Sequence, residues 1–152
     1  MKNKEKKIGI VSDHAGYQMK EFLTGYLDSL GYEVFDFGCH SDESCNYAEY
    51  AHPMGYAIGR GELLRGIALC GSGNGISMTL NKHRNIRAAL CWTPEIAELA
   101  RKHNDANACS IPVRFVENTT AMQIVEKFLE TPFEGGRHSE RIAKIPLPEC
   151  NT

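Results

Sequence analysis

The sequence lacks a long apolar run, a strong excess of charge of either sign and any CxxC pair. No segment approaches the roughly 18 consecutive apolar residues of a membrane-spanning helix. The polar, basic residues 1–7 are not followed by the apolar core of a signal peptide. The net charge of −2 argues against nucleic-acid binding through bulk charge. We therefore expect a cytoplasmic protein with no membrane or nucleic-acid partner.

The six cysteines do not follow a disulfide or zinc-site pattern. Cys70, Cys91 and Cys109 lie in or at the ends of apolar, strand-like runs. Cysteines in such runs behave as small buried hydrophobic residues, and they stay reduced in the cytosol. Without a CxxC pair, zinc is not expected either.

Strand-like and helix-like segments alternate along the chain. The five predicted strands are 7–11, 33–37, 66–70, 86–91 and 108–111. The helices predicted between and after them are 17–30, 50–60, 74–82, 94–104 and 118–130. This alternation predicts a parallel sheet covered on both faces. We predict an α/β fold in which residues 1–152 form one domain, a Rossmann-like three-layer α/β/α sandwich with a five-stranded parallel sheet.

The segment from Cys70 to Gly75 carries most of the functional interpretation. It comprises the end of a strand, the loop Gly71-Ser72-Gly73-Asn74-Gly75 and the start of a helix. Alternating glycines allow backbone N–H groups to point inward, towards an anion or a developing oxyanion. A cysteine beside such a loop can be a base or nucleophile, because oriented amides lower the pKa of a thiol. A tight structural turn and an inert thiol are the alternatives.

Other polar residues are predicted to lie near the same edge of the sheet. Asp13 and His14 follow the first strand, and Arg114 follows the fifth. They are therefore predicted to lie near the glycine loop at the carboxyl ends of the strands, where ligands bind in parallel sheets. Capping of the first helix is the alternative for Asp13 and His14. The segment His103-Asn104-Asp105 has an alternative role as a helix C-terminus.

The segment from about residue 131 is expected to form a C-terminal helical tail. Gly135-Gly136 are typical of a hinge, and Arg137 and Arg141 are four residues apart. In a helix this spacing places both guanidinium groups on one face. Such a pair suits bidentate phosphate binding, with a solvated basic surface as the alternative.

Six short motifs between residues 7 and 141 have to be considered together. They are Ser12-Asp13-His14-Ala15-Gly16, Cys70-Gly71-Ser72-Gly73-Asn74-Gly75-Ile76, Asn81-Lys82, Ile86-Arg87-Ala88, His103-Asn104-Asp105 and Gly135-Gly136-Arg137-His138. Jointly they resemble the type B ribose-5-phosphate isomerases, the family shared with galactose-6-phosphate isomerase subunits.

The resemblance implies an aldose–ketose isomerase of sugar phosphates that requires no metal or organic cofactor. Cys70 matches the family's catalytic base, and His103 matches the residue assigned to opening the sugar ring, with Asp13 nearby. The residues that match the sugar- and enediolate-binding loop are Gly71, Ser72, Gly73, Asn74 and Gly75. The phosphate-binding set is matched by His14, Arg114, Arg137 and Arg141, and a substrate contact by Asn104.

Two positions bear on the mechanism. Ile76 stands where one branch of the family has a glutamate base, which favours Cys70. Asn46-Tyr47-Ala48 replaces a common Asp-Tyr-Pro, and this leaves the contribution of Tyr47 open. The resemblance further implies a homodimer, in some members a tetramer, with active sites built from both subunits and a tail that reaches the partner.

The expected reaction interconverts D-ribose 5-phosphate and D-ribulose 5-phosphate through a cis-enediolate, as in the pentose phosphate pathway. A hexose-6-phosphate isomerase acting on allose or galactose 6-phosphate is the alternative within this class. A non-catalytic sugar-phosphate-binding module is the alternative outside it. A cysteine phosphatase is disfavoured because the loop has no CxxxxxR arrangement: position 76 is Ile.

Overall fold

The computed structural model describes residues 3–150, and its core is one parallel β-sheet. The strands are β1 (Lys7–Ser12), β2 (Glu33–Asp36), β3 (Gly66–Cys70), β4 (Ala88–Leu90) and β5 (Ala108–Pro112). Their order across the sheet is β2-β1-β3-β5-β4, and every neighbouring pair is parallel. Because β1, β3 and β5 lie in the middle, their apolar residues are buried on both faces.

Helices cover both faces of this sheet. They are α1 (Tyr17–Ser29), α2 (Tyr47–Gly59), α3 (Asn74–Leu80), α4 (Pro94–Asn104), α5 (Asn118–Glu130) and α6 (Arg137–Ile142). One buried cluster joins Ile67 and Leu69 of β3 to α1, α4 and α5. A second joins Ala68 and Cys70 of the same strand to α2 and α3. The alternation of side chains along β3 therefore assigns each helix layer to one face of the sheet.

The predicted three-layer α/β/α sandwich is confirmed, and the differences lie at element ends. α2 begins at Tyr47 rather than near residue 50, with Asn46 as an extended N-cap. β4 spans three residues instead of the predicted six, because it is an edge strand that pairs only with β5. The C-cap of α4 is Asp105, which has a left-handed backbone conformation, and not Asn104. Thr93 caps α4 by accepting a hydrogen bond from Ile96 N–H.

The short C-terminal helix packs on the outside of the sandwich. Gly135 and Gly136 both have positive φ, +71° and +59°, and so turn the chain sharply before α6 begins. The segment before this turn is attached to α4 by a hydrogen bond from Glu134 N–H to Lys102 O (3.1 Å). Within residues 3–150, none of the helices has the length and apolar character needed to span a bilayer.

Candidate active site

The site is built where the strand order of the sheet reverses. β1 is followed by β2 on one side, whereas β3 lies on its other side. In open parallel sheets, ligands bind outside the carboxyl ends of the strands at such a point. Asp13 comes directly after β1, and Cys70 is the last residue of β3. The fold therefore places these two side chains beside one another.

Cys70 is nearly buried, with 6% of its surface exposed. Burial and the adjacent Asp13 carboxylate, which accepts a hydrogen bond from the thiol, raise the pKa of Cys70. The backbone N–H groups of Gly73 and Ile76 act in the opposite direction and stabilise a thiolate. The expected lowering by oriented amides is therefore present, but desolvation and Asp13 outweigh it in the isolated chain.

The glycine loop forms a tight cradle next to this thiol. Gly73 has φ +74° and immediately precedes α3. Its carbonyl accepts a hydrogen bond from Ser110 Oγ at 2.7 Å, which ties the loop to the buried middle of β5. Asn74 N–H reaches Ser72 Oγ at 3.4 Å. Ser72 and Asn74 are exposed, so their side chains are accessible to a ligand from solvent.

Arg114 lies against the other end of the cradle. Val113 N–H and Arg114 N–H bond to Cys70 O (3.0 Å) and Gly71 O (3.1 Å), which fixes the turn after β5 beside the loop. The guanidinium packs so closely on Gly71 that a Cβ at that position would lie 3.2 Å from Arg114 Cζ. Gly71 therefore permits a positive charge to approach the backbone of the cradle.

The structure places Asp13 both in the turn before α1 and beside Cys70, whereas the N-cap of α1 is Gly16 rather than Asp13 or His14. Asp13 Oδ1 accepts a hydrogen bond from Gly16 N–H at 2.9 Å, which stabilises the turn into α1. The same carboxylate lies next to Cys70. His14 is half-buried, and its Nδ1 accepts a hydrogen bond from Cys45 N–H at 3.3 Å. This bond leaves Nε2 as the ring nitrogen that carries the proton in the neutral form.

Tyr47 also belongs to this edge of the sheet. Its ring lies directly over Gly75, so that a Cβ at position 75 would overlap the ring. The side chain is 40% exposed and forms a wall of the cradle. The structure thus places Tyr47 at the site, which the replaced Asp-Tyr-Pro motif had left open.

Four other candidate residues lie at the opposite edge of the sheet within one chain. His103 and Asn104 end α4, which runs back from the carboxyl end of β4 to the amino end of β5. In the register of β3 and β5, Gly66 pairs with Ala108 and Cys70 with Pro112. His103 thus lies beyond the Gly66 end of β3, and the strand alone separates that end from Cys70 by about 13 Å.

Arg137 and Arg141 share this second location. Both belong to α6, which contacts α4, and both side chains are exposed. His138, on the inner side of α6, stacks on His103 with ring centroids 4.4 Å apart and planes 11° apart. Asn104 O accepts a hydrogen bond from Arg87 Nε at 3.1 Å, which fixes the end of α4. One chain therefore presents two half-sites at opposite edges: a thiol half-site at Cys70 and an arginine half-site at His103.

Sequence reasoning missed three side-chain clusters. Cys39 and Cys45 lie within hydrogen-bonding reach of each other beside His14, and burial together with Cys39 raises the pKa of Cys45 to about 11. His52 in α2 and His83 in the turn after α3 share a hydrogen bond of 2.8 Å. His103, Glu134 and His138 offer ligand atoms that all lie within 4.8 Å of one another. Only the i,i+4 spacing of Glu134 and His138 could have suggested the last cluster.

The chain is similar to known ribose-5-phosphate isomerases in sequence and in fold. Ribose-5-phosphate isomerase B of Escherichia coli is 40% identical over 144 residues, which cover 95% of this chain and 97% of that protein. The structure of Clostridium thermocellum ribose-5-phosphate isomerase B has a TM-score of 0.90 at 45% identity, over 91% of this chain and 94% of the other.

A second similar structure contains a sugar phosphate. Ribose-5-phosphate isomerase B of Mycoplasma genitalium, with bound ribulose-5-phosphate, has a TM-score of 0.88 at 35% identity. The match covers 91% of this chain and 93% of that one. The sequence pattern of the family described as Ribose/Galactose Isomerase matches residues 8–145. The chain therefore belongs to the ribose/galactose isomerase family.

Proposed function

We propose that this protein is an aldose–ketose isomerase that interconverts D-ribose 5-phosphate and D-ribulose 5-phosphate, with Cys70 as the base. The observation that carries the proposal is the position of the Cys70 thiol. It lies at the switch point of the sheet, between the Asp13 carboxylate and the N–H groups of a glycine cradle. A ribulose-5-phosphate complex of a relative in the same fold supports the choice of a pentose phosphate.

The proton transfer follows from the groups around the thiol. Asp13 is placed to take the thiol proton, while Gly73 and Ile76 N–H stabilise the thiolate. The thiolate then removes the C2 proton of the open-chain aldose and returns it to C1. A base with a raised pKa holds that proton securely between the two steps. One proton moves from C2 to C1 and one from the C2 hydroxyl to the C1 oxygen, so the reaction needs no external oxidant or reductant.

The cradle stabilises the intermediate. Negative charge develops on the oxygens at C1 and C2 in the cis-enediolate, and inward N–H groups between Gly71 and Gly75 are suited to bind it. The Ser72 hydroxyl and the Asn74 amide lie at the rim of the cradle as further donors. Each preorganised donor of this kind contributes about 3 kcal/mol to transition-state stabilisation.

We also propose that the active form is a homodimer, in which the arginine half-site of one subunit completes the thiol half-site of the other. In support, His103, Arg137 and Arg141 lie at the sheet edge opposite to Cys70 in one chain. In the composite site, His103 of the partner subunit moves the proton between the anomeric hydroxyl and the ring oxygen. Arg114 and His14 bind the phosphate together with the partner's Arg137 and the partner's Arg141.

The proposed location is the cytosol. All six cysteines are free thiols, including the neighbouring pair Cys39 and Cys45. A reducing compartment maintains two thiols in this state even when they lie close together.

The test is a coupled assay of the purified protein with ribose 5-phosphate, allose 6-phosphate and galactose 6-phosphate, with Cys70→Ala as the control. We expect ribulose 5-phosphate formation that falls by about 10²–10⁴-fold in the variant, while sugar-phosphate binding measured by calorimetry persists. Turnover of a hexose phosphate alone would retain the mechanism and correct the substrate. Binding without turnover of any of the three sugars would leave only a binding module.

A further inference from the structure

Three side chains that are able to bind a metal ion converge at the arginine half-site. Of these three, only His103 has a role in the proposed reaction. His103 ends α4, Glu134 lies in the segment before α6, and His138 is in α6. One ligand atom from each lies within 4.8 Å of the others. Two imidazoles and a carboxylate form a donor set that binds zinc and neighbouring first-row transition metal ions.

The three side chains are held together before any ion arrives. Glu134 N–H bonds to Lys102 O at 3.1 Å, so the backbone of this segment is attached to the last turn of α4. The rings of His103 and His138 are stacked nearly parallel, with centroids 4.4 Å apart. Because the lone pairs of imidazole lie in the ring plane, one ring has to turn out of the stack before both can bind the same ion. His138 is also fixed by its N–H, which donates to Gly135 O at 3.2 Å. The backbone segments that carry the three ligands are therefore already held next to one another in the metal-free chain.

The distances are close to those that a tetrahedral ion requires. With metal–ligand bonds of about 2.1 Å, neighbouring ligand atoms in a tetrahedral site are about 3.4 Å apart. His138 Nε2 and Glu134 Oε2 are already 3.6 Å apart. Because the three ligand atoms are at most 4.8 Å apart, a turn of the His103 ring that brings its ligand atom up to about 1.4 Å closer completes the site.

The positively charged side chains near the cluster repel a bound metal ion only weakly. Lys102 Nζ is paired with Glu98 Oε1 at 2.5 Å. Arg137 and Arg141 are exposed, so solvent and salt screen their charge. Three protein ligands would leave the fourth position of the ion open, as in metal sites that bind water or an anion.

We propose that His103, Glu134 and His138 bind one divalent transition metal ion per chain, with Zn²⁺ and Co²⁺ as suitable ions. The ion occupies the lone pair of His103 and makes that residue unable to transfer a proton. The bound ion therefore inhibits the isomerase. This inhibitory consequence rests on the proposed function, whereas the binding of the ion does not.

Binding is tested with Co²⁺ alone, titrated into the purified full-length protein and followed by its visible absorption. The six thiols could also bind Co²⁺, but they would produce a thiolate-to-cobalt charge-transfer band that nitrogen and oxygen ligands do not. We expect one Co²⁺ per chain with no such band and displacement of Co²⁺ by Zn²⁺. The affinity should weaken by roughly tenfold or more in Glu134→Gln and in His138→Ala.

The matched control is Glu140→Gln, a carboxylate of the same helix α6 outside the cluster. It should bind Co²⁺ like the wild type. Glu134 is exposed, so its replacement should leave the fold intact, which far-UV circular dichroism checks. Equal affinity in all variants, or a thiolate band as the main signal, would overturn the proposed site.

Inhibition is tested separately with Zn²⁺ in the ribose 5-phosphate assay. Glu134→Gln should need roughly tenfold more Zn²⁺ than the wild type for half-inhibition. Equal sensitivity of both proteins would overturn inhibition at this cluster. If the protein turned over none of the sugars, the proposed function would fail, and the Co²⁺ titration would still decide whether the metal site exists.

Discussion

Cys70 is subject to two opposing influences, and their balance sets its reactivity. Burial and the Asp13 carboxylate raise the pKa of the thiol, while Gly73 and Ile76 N–H lower it. The raised pKa allows Cys70 to retain the proton that it takes from the substrate carbon. Before that step, the thiol has to give its own proton to a nearby acceptor. Asp13 supplies that acceptor in the proposed mechanism.

The Asp13→Asn variant tests this balance directly. Removing the negative charge should lower the pKa of Cys70, because Asp13 raises it through both a hydrogen bond and Coulomb repulsion. The asparagine side-chain oxygen can still accept the bond from Gly16 N–H, so the turn into α1 should remain. The measurement is the pH dependence of Cys70 alkylation, followed by mass spectrometry of its peptide. An unchanged or higher midpoint would contradict the assigned influence of Asp13.

The glycine cradle and α3 form a unit in which backbone conformation is specified by single residues. Gly73 has φ +74°, and a Cβ there would collide with Leu90 Cδ1. An L-residue in this conformation costs about 1–2 kcal/mol before any collision is counted. The loop therefore depends on glycine at this position for both its conformation and its packing against β4.

Gly73→Ala should consequently destabilise the protein by about 1–2 kcal/mol or more. The substitution should also lower kcat more strongly than it weakens the affinity for the sugar phosphate. The matched control is Gly25→Ala, at an exposed position inside α1 where a Cβ meets nothing within 4 Å. That control should stabilise the protein by about 0.5–1 kcal/mol. Urea unfolding and kinetics check both variants. A Gly73→Ala protein with wild-type stability and kcat would contradict the proposed cradle.

The pair of helices α1 and α5 is joined by a hydrogen bond between Tyr26 and Glu126. Burial and this carboxylate raise the pKa of Tyr26 to about 12, above its usual value of about 10. The folded chain therefore binds the phenol proton more tightly than the unfolded chain. The resulting contribution to stability is complete below pH 10 and declines as the pH rises towards 12.

Urea unfolding between pH 8 and pH 11 measures this decline, with Tyr26→Phe as the control. Wild type should lose stability above pH 10 relative to the variant, which has no phenol to titrate. A constant difference between the two proteins across this range would argue against the raised pKa.

The arrangement of these units was predictable from the sequence to different degrees. The β-strands around Ile67 and Cys109 followed from apolar runs, and the cradle followed from glycines in alternate positions. Both ends of β4 and the start of α2 were misplaced, because the bounds of β4 depend on pairing at a sheet edge and the start of α2 depends on the local conformation of Asn46. The contact of Tyr47 with Gly75 could not be predicted, because it depends on how α2 packs beside α3.

For the molecule as a whole, the separation of the two half-sites has the largest consequence. The direction of α4 places His103 at the amino edge of the sheet, and the direction of β3 places Cys70 at its carboxyl edge. Both directions follow from the alternation of strands and helices. The sequence alone does not reveal that α6 returns to α4 and joins Arg137 and Arg141 to His103, because that contact is made by the tertiary stacking of His103 on His138.

An active site formed between two chains can be tested with a purified heterodimer of Cys70→Ala and His103→Asn chains. Two different affinity tags isolate the heterodimer, and ribose 5-phosphate turnover is measured. Each variant should be inactive as a homodimer. In the heterodimer one of the two sites combines an intact Cys70 with an intact His103, so about half of the wild-type activity should return. A heterodimer as inactive as the parent variants would contradict a site shared between subunits.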